Sequence, residues 1–238
     1  MKVFLRIVRR LCPIFRSLWR IATGELRLTY SQYGEDAMLK GFVEDRILDP
    51  DYKGFWVDIG AHHPDRFSNT KMYYDCGWRG INVDALPAAI KIFDNKRPRD
   101  INVNVGIGET PGTLEYFMFA DYATNTFSRE FAEKVMARGV SCIGVTKVDV
   151  ITLKDLMRKY LPPKQHIDFF SIDTEGLDIS ILRSNDWALY RPDYILIEIH
   201  TEGHNENVIG GAVHQYLQKQ GYEFAAQGLC TTLFKRVR

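Results

Sequence analysis

Cysteine is scarce in this 238-residue chain, and the four present, Cys12, Cys76, Cys142 and Cys230, form no C-x-x-C pair. That spacing excludes a redox dithiol and half of a zinc site, and it fits free thiols in a reducing compartment. A long apolar run is also missing: arginines break every apolar stretch near the amino terminus well short of the roughly 18 residues a spanning helix needs. No clean apolar stretch is followed there by a small-residue cleavage site, so a signal peptide fits badly. Net charge is nearly absent, with 31 Lys and Arg against 30 Asp and Glu, so nothing attracts the whole molecule to nucleic acid and none is expected as a partner. Repeats, low-complexity tracts and linkers are absent as well.

Hydrophobic residues make up 45% and aromatics 13%, enough to fill a substantial core. Charge is unevenly placed. Residues 1–28 carry Lys2, Arg6, Arg9, Arg10, Arg16, Arg20 and Arg27 against Glu25, while the remainder is mildly acidic. Phe4, Val8, Leu11, Phe15 and Leu18 recur among those arginines at helical spacing, which predicts a basic amphipathic helix over 1–28, interrupted at Pro13. Two readings stay open for it. Its apolar face enters an anionic membrane surface, placing a cytoplasmic protein peripherally on the inner face of the cell membrane, or it packs on protein.

From Thr29 the pattern becomes short β-rich runs alternating with helical stretches, an α/β domain over 29–238 with a mostly parallel sheet and helices on both faces. Helices are predicted at 33–48, at 68–76 with Ser68 as N-cap, and at 88–95, 129–138, 153–160, 179–185 and 213–220. Strands are predicted at 55–59, 80–84, 101–105, 113–119, 145–150, 169–172, 194–199 and 232–234. In such sheets a ligand sits over the carboxyl ends of the strands, so the residues just after each strand carry the chemistry.

After the first strand come Asp58, Ile59, Gly60, Ala61, His62, His63 and Pro64. Gly60 permits close approach of backbone to ligand, Asp58 can receive an ammonium, and the next helix's first amides can receive a carboxylate. At the end of the second strand, 26 residues on, Asp84 can accept both hydroxyls of a ribose. Nicotinamide cofactors use an acid there too, but no G-x-G-x-x-G follows the first strand to receive a pyrophosphate.

Ser31-Gln32-Tyr33-Gly34-Glu35-Asp36, VDIGAHHP at 57–64, Ser68-Asn69-Thr70, Gly77 to Asp84, and Ile172-Asp173-Thr174-Glu175-Gly176 occur in an order that resembles the FkbM-type methyltransferases. The resemblance covers about residues 30–200. It implies the class I methyltransferase (Rossmann-like) fold with S-adenosylmethionine as donor. Asp58, Gly60 and Ala61 would lie near the donor's methionine part and Asp84 on its ribose. Ser31, Gln32, Glu35, Asp36, Asn69 and Thr70 match positions expected to border the donor, and Gly106, in the turn at 104–108, would lie beside the adenine. Where that family often has Glu as its second acid, this chain has Asp84.

Methyl transfer is an in-line displacement at a sulfonium, so alignment of the acceptor supplies much of the catalysis, and a hydroxyl acceptor also needs a base. Asp173 and Glu175 close one strand, and Glu198 and His200 close the next. His200 is the expected general base because an imidazole titrates near neutrality, with Asp173 and Glu175 as its catalytic companions. The same oxygen-rich group could hold Mg²⁺ or another divalent cation, or Asp173 and Glu175 could simply cap the helix that follows. His200 and His204 alone make no zinc site, lacking a third ligand. His62 and His63 are expected to shape their loop, with the alternative that one of them faces the acceptor, and residues 122–128 to cover the substrate.

The expected function is O-methylation of a sugar, glycan or small-molecule hydroxyl. The alternatives are a nicotinamide-dependent oxidoreductase and a non-catalytic membrane-associated interaction module. The missing pyrophosphate fingerprint disfavours the first, and the retained acids Asp58, Asp84, Asp173 and Glu175 disfavour the second.

Overall fold

The computed structural model describes residues 29–199 and 208–237. The helix expected over 1–28, and with it His200 and His204, lies outside the described residues. In chain order the elements are α1 (Glu35–Leu48), β1 (Phe55–Ile59), α2 (Lys71–Asp75), β2 (Arg79–Asp84), α3 (Pro87–Lys96), β3 (Ile101–Asn104), β4 (Gly106–Ile107) and β5 (Gly112–Phe119). After a 3-10 turn at Tyr122–Thr124 follow α4 (Arg129–Ala137), β6 (Cys142–Ile151), α5 (Leu153–Tyr160), β7 (Phe169–Ile172) and α6 (Asp178–Arg183). The last are β8 (Tyr194–Glu198), α7 (Ala212–Lys219), β9 (Tyr222–Gln227) and β10 (Thr231–Arg236).

Seven strands form one sheet in the order β3-β2-β1-β7-β8-β10-β9. The first five are parallel, and β10 runs antiparallel to both of its neighbours. The order turns outward in both directions from β1 and β7, which opens a crevice between their carboxyl ends. This is the class I methyltransferase arrangement. A smaller sheet, β4-β6-β5, is inserted between β3 and α5.

β1 is buried at every position because helices cover both faces of the sheet. Alternation sends Phe55, Val57 and Ile59 into one core with Val83, Phe170, Ile172 and Ile197. Trp56 goes to the other, with Leu39, Tyr73, Trp78, Phe169 and Leu233. Each fully buried large side chain contributes about 1.5–3 kcal/mol. At the amino ends of the strands, away from the crevice, Arg46 of α1 bonds Asp168 at 2.6 Å and Asp193 at 2.7 Å, and the Tyr52 hydroxyl donates to Asp168. His166, Asp168 and Asp193 are grouped as metal ligands could be, but this guanidinium already fills the cation's place.

Several boundaries differ from the sequence expectation. The helix expected from Ser68 begins at Lys71, because the Ser68 side chain is engaged by Arg97 and by the Thr70 amide. β6 starts three residues earlier than predicted, held by its long antiparallel pairing to β5. β9 was not predicted. Its sequence YEFAAQ has little β preference, and its pairing to β10 makes it a strand.

Candidate active site

The crevice is lined by the ends of β1, β2, β7 and β8, by the strap before α1, and by the stretch 121–127 projecting from the small sheet. Ten of the residues singled out in the sequence line it: Gln32, Glu35, Asp58, Gly60, Ala61, Asn69, Asp84, Gly106, Asp173 and Glu175. Ser31, Asp36 and Thr70 do not, and they brace it from behind. The Asp36 carboxylate accepts from the Tyr30 amide, the Ala37 amide and the Ser31 hydroxyl, folding the strap onto the first turn of α1.

Gly60 sits at φ 79°, and a Cβ there would lie 1.8 Å from the carbonyl oxygen of Asp173. Its close approach is therefore to the neighbouring turn, and glycine is required on both grounds. The Gly60 and Ala61 amides both donate to the Val83 carbonyl, and those of Asp65, Arg66 and Thr70 donate to side chains of their own loop. These donors of the turn itself are therefore used within it, ahead of the helix that begins at Lys71.

Asp58 is buried and accepts from the Thr70 hydroxyl at 3.1 Å. Burial pushes its carboxyl above the usual range, while bonding from Ser171, the Arg97 charge and the Thr70 bond pull it back. Asp84 is fixed by two backbone donors, Leu86 at 2.7 Å to one oxygen and His62 at 2.9 Å to the other. Each oxygen keeps a lone pair for a ribose hydroxyl. Burial raises Asp84 to about 6 against those two amides.

On the other side, ligand oxygens of Asp173, Glu175 and Glu198 lie within 4.8 Å of one another. Burial first, then the Glu198 charge and a hydrogen bond with it, hold Asp173 well above the carboxylate range. Asp178, the first residue of α6, closes this turn by accepting from the Thr174 amide and hydroxyl and from the Gly176 amide, and no side chain caps the helix itself. That leaves the Asp173 and Glu175 side chains directed to the crevice rather than to α6. Thr126 donates to the Glu175 carbonyl at 2.8 Å, tying the projecting stretch to this turn.

Of the two histidines, His62 lines the crevice. Its ring lies 4.5 Å from that of Tyr122 and 6.1 Å from Phe67, nearly parallel to the latter. Neither ring nitrogen has a partner in the protein among the described residues. Burial and the nearby Arg66 charge lower it to about 4, so it is a neutral imidazole at physiological pH. His63 does shape the loop, its Nδ1 accepting from the Asp65 and Arg66 amides. Sequence reasoning also missed Ser171, Tyr116 and Arg97. Ser171, the polar position inside the otherwise apolar run of β7, could have been read from that pattern, whereas nothing in the run Lys96-Arg97-Pro98-Arg99 marks Arg97 as buried.

The profile of the methyltransferase FkbM domain matches residues 58–224. No curated protein matches the sequence. Among solved structures, the chain is similar to a Burkholderia thailandensis 1,6-didemethyltoxoflavin-N1-methyltransferase with bound 1,6-didemethyltoxoflavin and S-adenosylhomocysteine, at 10% identity and TM-score 0.43, over 86% of this chain and 77% of that one. It is also similar to a TehB-like SAM-dependent methyltransferase from Corynebacterium glutamicum, at 11% identity and TM-score 0.37, over 94% and 97% of the two chains.

Proposed function

The chain belongs to the FkbM methyltransferase family, and from that premise we propose that it moves the methyl group of S-adenosylmethionine onto a hydroxyl oxygen of a sugar, glycan or other small acceptor. The observation that carries the donor assignment is the pair of acids at adjacent strand ends lining one crevice, buried Asp58 and half-buried Asp84, with no pyrophosphate turn between them. Asp58 offers its charge to the donor's ammonium, and Asp84 accepts the ribose hydroxyls. Gly106 and Ile107 of β4 line the crevice beyond Asp84, where an adenine attached to that ribose would lie.

The acceptor side is the region between His62, Tyr122 and the acidic group. As the acceptor oxygen attacks the methyl carbon, the C–S bond breaks and the hydroxyl proton must leave. His62 offers an unprotonated ring nitrogen that meets no other protein donor among the described residues. Glu198, hydrogen-bonded with Asp173, brings a second acidic group to the crevice lining. The aromatic faces of His62, Tyr122 and Phe67 suit the apolar face of a sugar ring. His200 stays a candidate base, next after Ile199 beyond the end of β8.

Asp173, Glu175 and Glu198 present an all-oxygen set suited to a hard divalent cation such as Mg²⁺. Such an ion would offset the mutual repulsion of these acids and lower the acceptor's pKa. No described helix is long and apolar enough to cross a membrane. The basic stretch 1–28 would instead bring the enzyme to an anionic surface carrying lipid-linked acceptors.

Calorimetric titration with S-adenosylmethionine, S-adenosylhomocysteine and NADH tests the donor. Sulfur ligands binding while NADH does not is the expected result, and NADH binding alone would favour an oxidoreductase.

A further inference from the structure

Behind the crevice, at the end of α3, the guanidinium of Arg97 is 1% exposed, unusual for a residue type that is almost never fully buried without partners. It donates to the Pro64 carbonyl, to the Ser68 hydroxyl at 2.8 Å and to the Thr70 hydroxyl at 2.7 Å. Thr70 in turn donates to Asp58 at 3.1 Å. The three contacts span the loop 64–70, which supplies Phe67 and Asn69 to the crevice wall.

We propose that Arg97 is a positioning residue for donor binding, holding the 64–70 loop and, through Thr70, fixing Asp58 and balancing its buried charge. The proposal rests on the reading of Asp58 as the acid that meets the donor's ammonium. A buried carboxylate with no countercharge would take up a proton and stop attracting a cation. The charged and hydrogen-bonding groups that act on Asp58 are Arg97 from the end of α3, Ser171 from β7, Thr70 from the loop before α2, and Asp84 from β2. Of these only Arg97 is cationic. Its charge reaches Asp58 through the Thr70 hydroxyl, so the guanidinium does not itself stand on the carboxylate. Direct pairing would place the cation on the acid, whereas the relay balances its charge from behind the crevice.

Two readouts separate this role from plain structural support. One is the affinity for S-adenosylhomocysteine between pH 5.5 and 8.5. The other is the titration of the Asp58 side-chain carboxyl, followed by ¹³C resonance and assigned with Asp58→Asn, which needs no ligand. Arg97→Gln should weaken binding by about tenfold at pH 7, the scale of one charge-assisted contact, and move the Asp58 midpoint upward by about one pH unit. Arg97→Lys should restore the midpoint while recovering only part of the affinity, since an ammonium cannot reproduce the planar fork. Should Arg97→Gln fail to fold, Thr70→Val keeps the charge and cuts the relay, and a loss of about threefold in affinity is expected, on the scale of one neutral hydrogen bond.

A folded Arg97→Gln with unchanged affinity and Asp58 midpoint would overturn the proposal. So would an Arg97→Lys that leaves the midpoint where Gln puts it, or a folded Thr70→Val that binds as the wild type does. If the wild type does not bind the ligand at all, the donor reading falls, and the Asp58 titration still decides what Arg97 does.

Discussion

The backbone of Gly60 faces the carbonyl of Asp173 so closely that a single added carbon would stand 1.8 Å from its oxygen. This contact locks the turn after β1 against the turn after β7, and the donor side of the crevice is thereby held in register with the acidic side. Gly60→Ala must move one of the two turns and also strain a left-handed residue, at a cost of about 3 kcal/mol or more. Thermal unfolding should show a fall of several degrees, and an unchanged midpoint would mean that the two turns are not coupled.

Asp84 carries the ribose in this account. Asp84→Ala should lower affinity for S-adenosylhomocysteine by at least about a hundredfold, the scale of two hydrogen bonds to a charged group. The unliganded variant should be less stable by about 1–3 kcal/mol, because the Leu86 and His62 amides lose their acceptor. Retained affinity would remove Asp84 from the donor site.

The pH dependence of binding follows from the same residue. Burial raises Asp84 to about 6 in the free protein, and the ionised form is the better acceptor for two hydroxyls. Donor affinity should be full above about pH 7 and decline as the pH falls through about 6. Stability runs the other way. An acid whose folded value lies above its unfolded one favours folding while protonated, so the contributions of Asp84, Asp100 and Asp178, each near 6, are lost as pH rises from about 4 to about 6. Calorimetry and thermal unfolding across that window read the two trends separately.

His62 should titrate far below an ordinary imidazole. Its ring resonances should move with a midpoint near 4, and His62→Phe, which keeps the stacked shape, should leave donor affinity within about threefold while cutting methyl transfer by about a hundredfold, as for loss of a general base. A midpoint near 6.5 would place the ring in solvent. Undiminished transfer would remove it as the proton's acceptor.

Much of this was legible from strand ends. Asp58, Gly60, Asp84 and Asp173 were found because each follows a short apolar run, and the crevice gathers them for that reason. What escaped depended on tertiary contact. Nothing local in YEFAAQ announces an edge strand, and Ser68 reads as an N-cap until Arg97 takes its hydroxyl. Asp36 looks like a site acid by its motif, yet its oxygens are spent on the Tyr30 and Ala37 amides and the Ser31 hydroxyl. Which of His62 and His63 would line the crevice was not legible locally, because the aromatic wall that His62 joins comes from Tyr122, 60 residues further along the chain.

The central claim is that this crevice holds an adenosyl sulfur donor, and calorimetric titration of the purified chain with S-adenosylhomocysteine, run beside Asp84→Ala, tests it most directly. The account predicts saturable one-to-one binding by the wild type and none measurable by the variant at the same concentrations. A folded wild type that gives no heat with the ligand, or a variant that binds equally well, would contradict it.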